Sequence, residues 1–193
     1  ASKNLFGNPG GEMAIIGVTG TNGKTTTTYL IKHLLEQKKG ATVGLIGTNG
    51  NMIGSEFLHT ERTTPESYEL QKLLREMADA GCTHVVMEVS SQGLMLHRTA
   101  GILFELGLFT NIEPDHIGPN EHASFEEYME CKGRLFRQCK VGIVNVDDPH
   151  WKQVLEGHTC RLETVGFSPE ASLRAENVHL VNRAGYLGVA YHA

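Results

Sequence analysis

The 193-residue chain is short of several things, and each shortage narrows what it can be. Its four cysteines, Cys82, Cys131, Cys139 and Cys160, form no C-x-x-C pair and are too sparse for a disulfide framework, so a reducing, cytoplasmic setting is expected. No apolar run approaches the ~18 residues of a membrane helix, so no membrane association is expected. No signal-peptide pattern is visible. Positive charge is in deficit: a formal net charge of -5 argues against broad nucleic-acid binding. There is no internal repeat and no low-complexity linker. An initiator Met is also lacking. The opening ASKNLFGNPGGEM reads as mid-protein, and a piece of a longer enzyme is expected. What is there, 40% hydrophobic and 20% charged residues, suits one ordinary globular domain.

Apolar runs and helical repeats alternate along the chain. AIIGVT (14–19) reads as a buried strand, and 24–38 as a helix with Leu30, Leu34 and Leu35 on its apolar face. TVGLIG (42–47) reads as a second strand, and 49–64 as a polar loop or hairpin. Residues 66–80 carry Leu70, Leu73, Leu74 and Met77 at helical spacing, with Gly81 as the stop. THVVMEV (83–89), FELGLFT (104–110) and VGIVNV (141–146) read as strands, and 125–137 as a helix. The alternation predicts an α/β fold with a mostly parallel sheet covered by helices on both faces. After Glu163 short strand-like pieces follow, including a hairpin of 178–181, turn 182–185 and 186–191, and this tail is expected to be antiparallel.

One stretch asks for a ligand. GVTGTNGKTTTTYL (17–30) places Gly17, Gly20 and Gly23 before Lys24 and Thr25, between a strand and a helix. Glycines let backbone N–H groups turn toward an anion, and the helix start adds partial positive charge. Gly20, Thr21, Asn22, Gly23, Lys24, Thr25 and Thr26 are therefore candidate nucleotide contacts, with Lys24 on the outer phosphates and Thr25 on Mg²⁺. The loop is a variant, since Val18 stands where the strict phosphate-loop pattern has Gly. The bland alternative is a glycine-rich turn with a stray lysine. No N-K-x-D guanine-reading motif is present. Asn145 and Asp148, in N-V-D-D-P after a strand, are further nucleotide candidates, or else form a helix-capping turn.

Six stretches in order, TGTNGKTTT, TTPE, MEVSSQGL, FTNIEPDH, EEYMECKGRLF and VNVDDP, resemble the Mur ligase family. Their spacing is similar to the central, ATP-binding domain of the members that add the third amino acid to a peptidoglycan precursor. The resemblance implies a P-loop NTPase-like sheet with a small antiparallel appendage near the C-terminus. It also implies residues 1–13 as the link from an N-terminal UDP-binding domain and 14–193 as the central domain. That domain would lack its last strands and helices and the amino-acid-binding third domain, so the fragment alone would bind nucleotide better than it catalyses.

In the family, ATP phosphorylates a substrate carboxylate and an amine attacks the acyl phosphate. The implied substrates are ATP, UDP-N-acetylmuramyl-dipeptide and either lysine or diaminopimelate, the choice expected to lie in the third domain. A monomer is expected. The resemblance makes Glu88 a Mg²⁺ ligand, and His116 a ligand of a second Mg²⁺ with Asp115 as a supporting acceptor. Lys132 becomes a CO₂-derived carbamate. Thr63, Thr64, Ser90 and Arg98 become acceptor contacts. Read without it, Glu88 is a strand-end charge, His116 a surface histidine, Lys132 a solvated helix lysine, and Thr63 and Thr64 helix caps. A zinc site from His116, His122 and Cys131 fits no common template.

Three departures stand out: Gln92 in place of a more usual His, Leu96 in place of a substrate-contacting Gln, and Ile117-Gly118 followed by PNEHAS, a longer loop than usual. The rivals are another amide ligase of the superfamily such as a folylpolyglutamate synthetase, a P-loop small-molecule kinase, and a non-catalytic nucleotide-binding module. No arginine cluster suggests a kinase lid.

Overall fold

The computed structural model describes residues 2–38, 40–119, 121–183 and 185–192. The chain opens with a short helix, α1 (Ser2–Leu5), and a 3₁₀ turn at Pro9–Gly11. Then come β1 (Ala14–Thr19), α2 (Lys24–Glu36), β2 (Val43–Ile46), β3 (Asn51–Ile53), β4 (Glu56–Leu58), α3 (Ser67–Asp79), β5 (His84–Glu88), α4 (Ser91–Met95) and β6 (Phe104–Phe109). The second half holds α5 (Phe125–Gly133), a 3₁₀ turn at Arg134–Arg137, β7 (Cys139–Asn145), α6 (Trp151–Val154), β8 (Arg161–Gly166), β9 (Leu173–Arg174), β10 (Glu176–Arg183) and β11 (Tyr186–His192).

Nine strands form one sheet in the order β4-β3-β2-β5-β1-β6-β7-β8-β9, and β10 and β11 form a separate antiparallel pair. From β2 to β9 every neighbouring pair is parallel. The 49–64 segment supplies an antiparallel edge hairpin, β3 and β4. The antiparallel tail is corrected in part: β8 and β9 continue the main sheet in parallel, and only β10 and β11 pair antiparallel. The chain crosses back through α6 before β8, so strand direction is repeated rather than reversed. The turn of that last hairpin includes Ala184, outside the described residues.

The sheet has two unequal faces. On one, Leu70, Leu73, Leu74 and Met77 of α3 and Tyr128 of α5 meet Ile15, Ile46, Val85, Met87 and Phe104. The Leu/Met spacing on α3 was a correct guide to this core, and Gly81 stops the helix at φ 78°. On the other face a smaller cluster, Ile16, Val18, Val43 and Val86, packs under Ile31 and Leu35.

Here the expected helix face holds for Leu35 and fails for Leu30 and Leu34. Leu30 and Leu34 are 58% and 64% exposed, while Thr28 and Lys32 are buried. The stripe that touches the sheet is 28, 31, 32 and 35, the true i, i+3, i+4, i+7 set. Lys32 fits there because its stem lies on apolar surface and its ammonium pairs with Glu36. The opening segment packs on α3, with the Phe6 and Tyr68 rings 5.3 Å apart and Arg75 bonded to Glu12 at 2.7 Å. The helix expected over 125–137 tightens to 3₁₀ after Gly133, where a Cβ would fall 2.2 Å from the Val154 carbonyl oxygen. No helix among the described residues is long and apolar enough to cross a membrane.

Register decides the site. Val18 lies opposite Glu88, and Thr19 opposite Phe109. The loop leaving β1 therefore emerges between the ends of β5 and β6, where strand order reverses.

Truncating the two kinds of leucine separates the faces. Leu74→Ala removes a fully buried side chain and is expected to cost about 2–5 kcal/mol in urea unfolding. Leu34→Ala is expected to stay within roughly 0.5 kcal/mol of wild type.

Candidate active site

The β1–α2 loop is pressed against the end of β6. Gly20 has φ 147°, and a Cβ there would sit 1.9 Å from Thr110 Oγ1 and 3.0 Å from the Asn111 carbonyl oxygen. Only glycine fits. The contact is sewn by hydrogen bonds. Thr21 N–H donates to the Asn111 carbonyl at 2.8 Å, and Asn22 N–H to Asn111 Oδ1 at 2.9 Å. Thr110 Oγ1 donates to the Asn22 carbonyl at 2.7 Å. The loop amides of Thr21 and Asn22 are therefore spent on Asn111 rather than turned toward an anion. What faces the open side is the first turn of α2. Its N-cap, Gly23, offers no side-chain cap, so the N–H groups of that turn have no intrahelical acceptor.

Folding the loop this way turns the Gly20 carbonyl inward, where it accepts from two lysines. Lys24 Nζ donates to it at 2.8 Å and to the Thr21 carbonyl at 2.9 Å. Lys132 Nζ donates to the same oxygen at 2.9 Å and lies 4.4 Å over the Tyr128 ring. The solvated-lysine reading of Lys132 is corrected: it is 1% exposed. Burial, then repulsion from Lys24, pushes its pKa down to about 7, against the pull of Asp115 and Cys131. Lys24 is also lowered by burial, with Glu88 and Asp115 pulling the other way. Tyr128 OH is 3.1 Å from Thr21 Oγ1, so one buried ring touches both the loop and Lys132. Tyr128 and Asn111 were not singled out in the sequence, although both lie inside quoted motifs.

Glu88 is buried at the end of β5. Thr48 holds it, its N–H donating to Oε1 at 3.0 Å and its hydroxyl to Oε2 at 3.1 Å. Beyond Glu88 opens a cavity of about 560 Å³. One end is built by Thr21, Asn22, Gly23, Lys24 and Thr25, and other walls by Thr63, Thr64, Ser90 and Arg98. Thr64 ties two strand ends together, donating to the Glu88 carbonyl at 3.0 Å and accepting from Ser90 N–H at 3.0 Å. Thr63 shares a hydrogen bond with Thr48 at 2.9 Å. Neither threonine caps α3, whose N-cap is Glu66. Ser90 caps α4 instead, accepting from Gly93 N–H at 3.0 Å. Arg98 donates to the Thr64 carbonyl at 3.2 Å and pairs with Glu66 at 2.7 Å, while its buried Nε has no hydrogen-bond partner.

His116 also lines the cavity. It is half exposed at φ 54°, with Nδ1 3.0 Å from Glu121 Oε1. Asp115 is 3.6 Å from Nε2, so the ring's close partner is Glu121 rather than the expected Asp115. Among the described residues no three His, Cys, Asp or Glu side chains cluster as a metal site, and the zinc alternative gains nothing. Isolated hard oxygens, Thr25 and Glu88 beside a phosphate-sized opening, do fit Mg²⁺, which takes one or two protein ligands plus phosphates and water.

Five candidates do not reach the cavity wall: Gly20, Thr26, Lys132, Asn145 and Asp148. Gly20 and Lys132 lie just behind it. Thr26 is exposed on α2. Asn145 donates to the Thr110 carbonyl at 2.8 Å and accepts from Asp147 N–H at 3.1 Å. Asp148 accepts from Ile112 N–H at 2.7 Å and His150 N–H at 2.9 Å. Both side chains brace the segment after β6, and neither is the N-cap of α6, which is His150 without a side-chain cap bond.

Lys132 gives a pH test. The folded amine loses its proton at about 7, whereas the unfolded chain keeps it until ~10.4. Between those values the unfolded state holds more protons, so stability rises with pH. In bicarbonate-free buffer, wild type is expected to gain on Lys132→Met from about pH 7 to ~10, read as urea midpoints. A difference that stays flat with pH would refute the buried-amine assignment.

Comparison with known proteins fits this geometry. The Mur ligase middle domain family matches residues 18–190. A UDP-N-acetylmuramoyl-L-alanyl-D-glutamate--2,6-diaminopimelate ligase of Clostridium botulinum is 43% identical over 182 residues, covering 94% of this chain and 37% of the relative. A solved structure of a ligase of the same name superposes with a TM-score of 0.77 at 31% identity, over 86% of this chain and 34% of the other. A Mycobacterium tuberculosis folylpolyglutamate synthase, solved with ADP and AMPPCP, shares the fold with a TM-score of 0.63 at 17% identity, over 91% of this chain and 48% of the other. The chain thus spans little more than a third of the length of the curated relatives it matches. On sequence and on fold together, the chain belongs to the Mur ligase family, as its middle domain.

Proposed function

We propose that this chain is the ATP-binding part of a cytoplasmic, monomeric ligase that joins diaminopimelate to UDP-N-acetylmuramoyl-L-alanyl-D-glutamate. Residues 1–13 would lead in from a domain holding the UDP end, and 14–193 would form the ATP-binding domain. The observation that carries the reading is the two-ended cavity. The uncapped start of α2 with Lys24 suits phosphates, and Arg98 beside Thr64 and Ser90 suits a carboxylate. Relatives at 43% identity carry the diaminopimelate name, which favours that amine over lysine. The folylpolyglutamate-type alternative is less favoured, since likeness there stays at 19% identity or below.

In this reading Lys24 exchanges its bonds to the Gly20 and Thr21 carbonyls for phosphate oxygens. Arg98 holds the acceptor's glutamyl carboxylate for in-line transfer of the γ-phosphoryl group. One carboxylate oxygen bonds to phosphorus as the bond to ADP breaks. The amine nitrogen then attacks the acyl carbon, phosphate leaves, and a proton is lost from nitrogen. Mg²⁺ on Thr25 and Glu88, with a second ion near His116, would supply charge neutralisation between the anions. Lys132 suits carbamylation because an amine titrating at about 7 is available unprotonated to CO₂.

Phosphate release by the intact enzyme tests this, with ATP, Mg²⁺ and the UDP-linked dipeptide, with and without diaminopimelate or lysine. Release requiring both the nucleotide sugar and diaminopimelate is expected. Release dependent on lysine alone would reassign the amine, and none with either would remove the ligase reading. Lys132→Ala is expected to lower turnover by roughly 100-fold, with or without bicarbonate.

A further inference from the structure

Among the cavity-lining residues with no part in the reading above, Ser91 and His122 touch each other. Ser91 opens α4 directly after Ser90, and His122 comes from the loop between His116 and α5. Both are buried, and His122 Nε2 lies 2.9 Å from Ser91 Oγ. Thirty-one residues separate them. Burying an imidazole from a loop is costly unless the contact it makes offsets the ordering and desolvation.

The loop is braced to deliver that contact. His122 N–H donates to the His116 carbonyl at 3.0 Å, and Gly118 N–H to the His122 carbonyl at 3.1 Å. The Glu127 carboxylate accepts from Ala123 N–H at 2.6 Å. The His122 ring packs on Tyr128 at 5.1 Å between centroids. Its Nδ1 is buried without a hydrogen-bond partner, with Glu127 Oε2 3.9 Å away.

With a proton on Nε2, that N–H donates to Ser91 Oγ across the 2.9 Å contact and the serine's own proton is left to donate elsewhere; with Nε2 bare, the serine hydroxyl is spent on the ring. Ser91 shares the cavity with Arg98, whose Nε is also unpartnered, and with Thr64.

We propose that Ser91 is an acceptor-binding residue whose hydroxyl, oriented by His122, donates a hydrogen bond to a carboxylate or amide oxygen of the acid substrate anchored by Arg98. This rests on the ligase reading of the cavity. His122 acts only through Ser91 and is a positioning residue.

The test is steady-state kinetics of the intact enzyme, with KM for the UDP-linked dipeptide and KM for ATP measured separately. Ser91→Ala is expected to raise the acceptor KM about tenfold or more and leave the ATP KM in place. His122→Phe is expected to do the same. His122→Gln, whose amide N–H can stand in for Nε2–H, is expected to restore the acceptor KM to within about threefold. The Ser91→Ala/His122→Phe double variant is expected to be no worse than either single one, because the two act as a unit. An unchanged acceptor KM in Ser91→Ala overturns the proposal. So does a His122→Gln as damaging as His122→Phe, which would make the ring's packing on Tyr128 its whole role. Wild type that releases no acceptor-dependent phosphate removes the ligase reading and this inference together. Normal wild-type turnover with an unaffected Ser91→Ala removes this inference alone.

Discussion

The close approach of Gly20 to the end of β6 is the constraint from which the site follows. Thr19 pairs with Phe109, and the next residue, Gly20, meets the Thr110 side chain with no room for one of its own. The chain must then turn at a positive φ, which glycine adopts freely. That turn spends the Thr21 and Asn22 amides on Asn111 and starts α2 at Lys24. This contact sets where α2 begins, and the packing of Ile31 and Leu35 on the sheet holds its axis.

The same turn has an electrostatic consequence. The Gly20 carbonyl accepts from Lys24 and Lys132 at once, which brings two amines to one oxygen in a largely water-free place. Their repulsion adds to burial, and the more buried amine yields its proton more readily. Tyr128 stabilises the charged form only weakly by comparison, since it offers a ring face and no counter-charge. A lysine that looks ordinary on a helix is thereby left partly unprotonated near neutral pH. On the far side of the loop, Thr48 and Thr64 hold Glu88 by its carboxylate and its carbonyl. Thr64 also accepts from Arg98, so Glu88 and the arginine share one network, while Lys24 and Lys132 are held by the Gly20 carbonyl.

Much of this was readable from residue order. The β1–loop–α2 unit, the α3 stripe ending at Gly81, and the carboxylate closing β5 are all local patterns. Periods of two and 3.6 residues, glycine punctuation and a strand-end charge need no distant partner to be recognised. The α2 face was misjudged at Leu30 and Leu34, though not at Leu35, because leucines outweighed the geometry. The helix turns Thr28 and Lys32 to the sheet, and burying a lysine needs Glu36 and an apolar stem surface that a count of hydrophobic residues does not see. Asn145 and Asp148 were read as nucleotide contacts from their place after a strand, yet their polar atoms are taken up by the Thr110 carbonyl and Ile112 N–H.

By itself the sequence determined the class of fold, the family, and the phosphate-type loop, because each is written in neighbouring residues. Only the tertiary structure decided which groups meet. Lys132 and Gly20 lie 112 positions apart, Glu88 and Thr48 forty, and His122 and Ser91 thirty-one. Such contacts follow from strand order and register in a parallel sheet, where a crossover carries the chain past a neighbour before it returns. Side-chain ionisation and donor direction are set by what ends up next to them, and no local pattern records that.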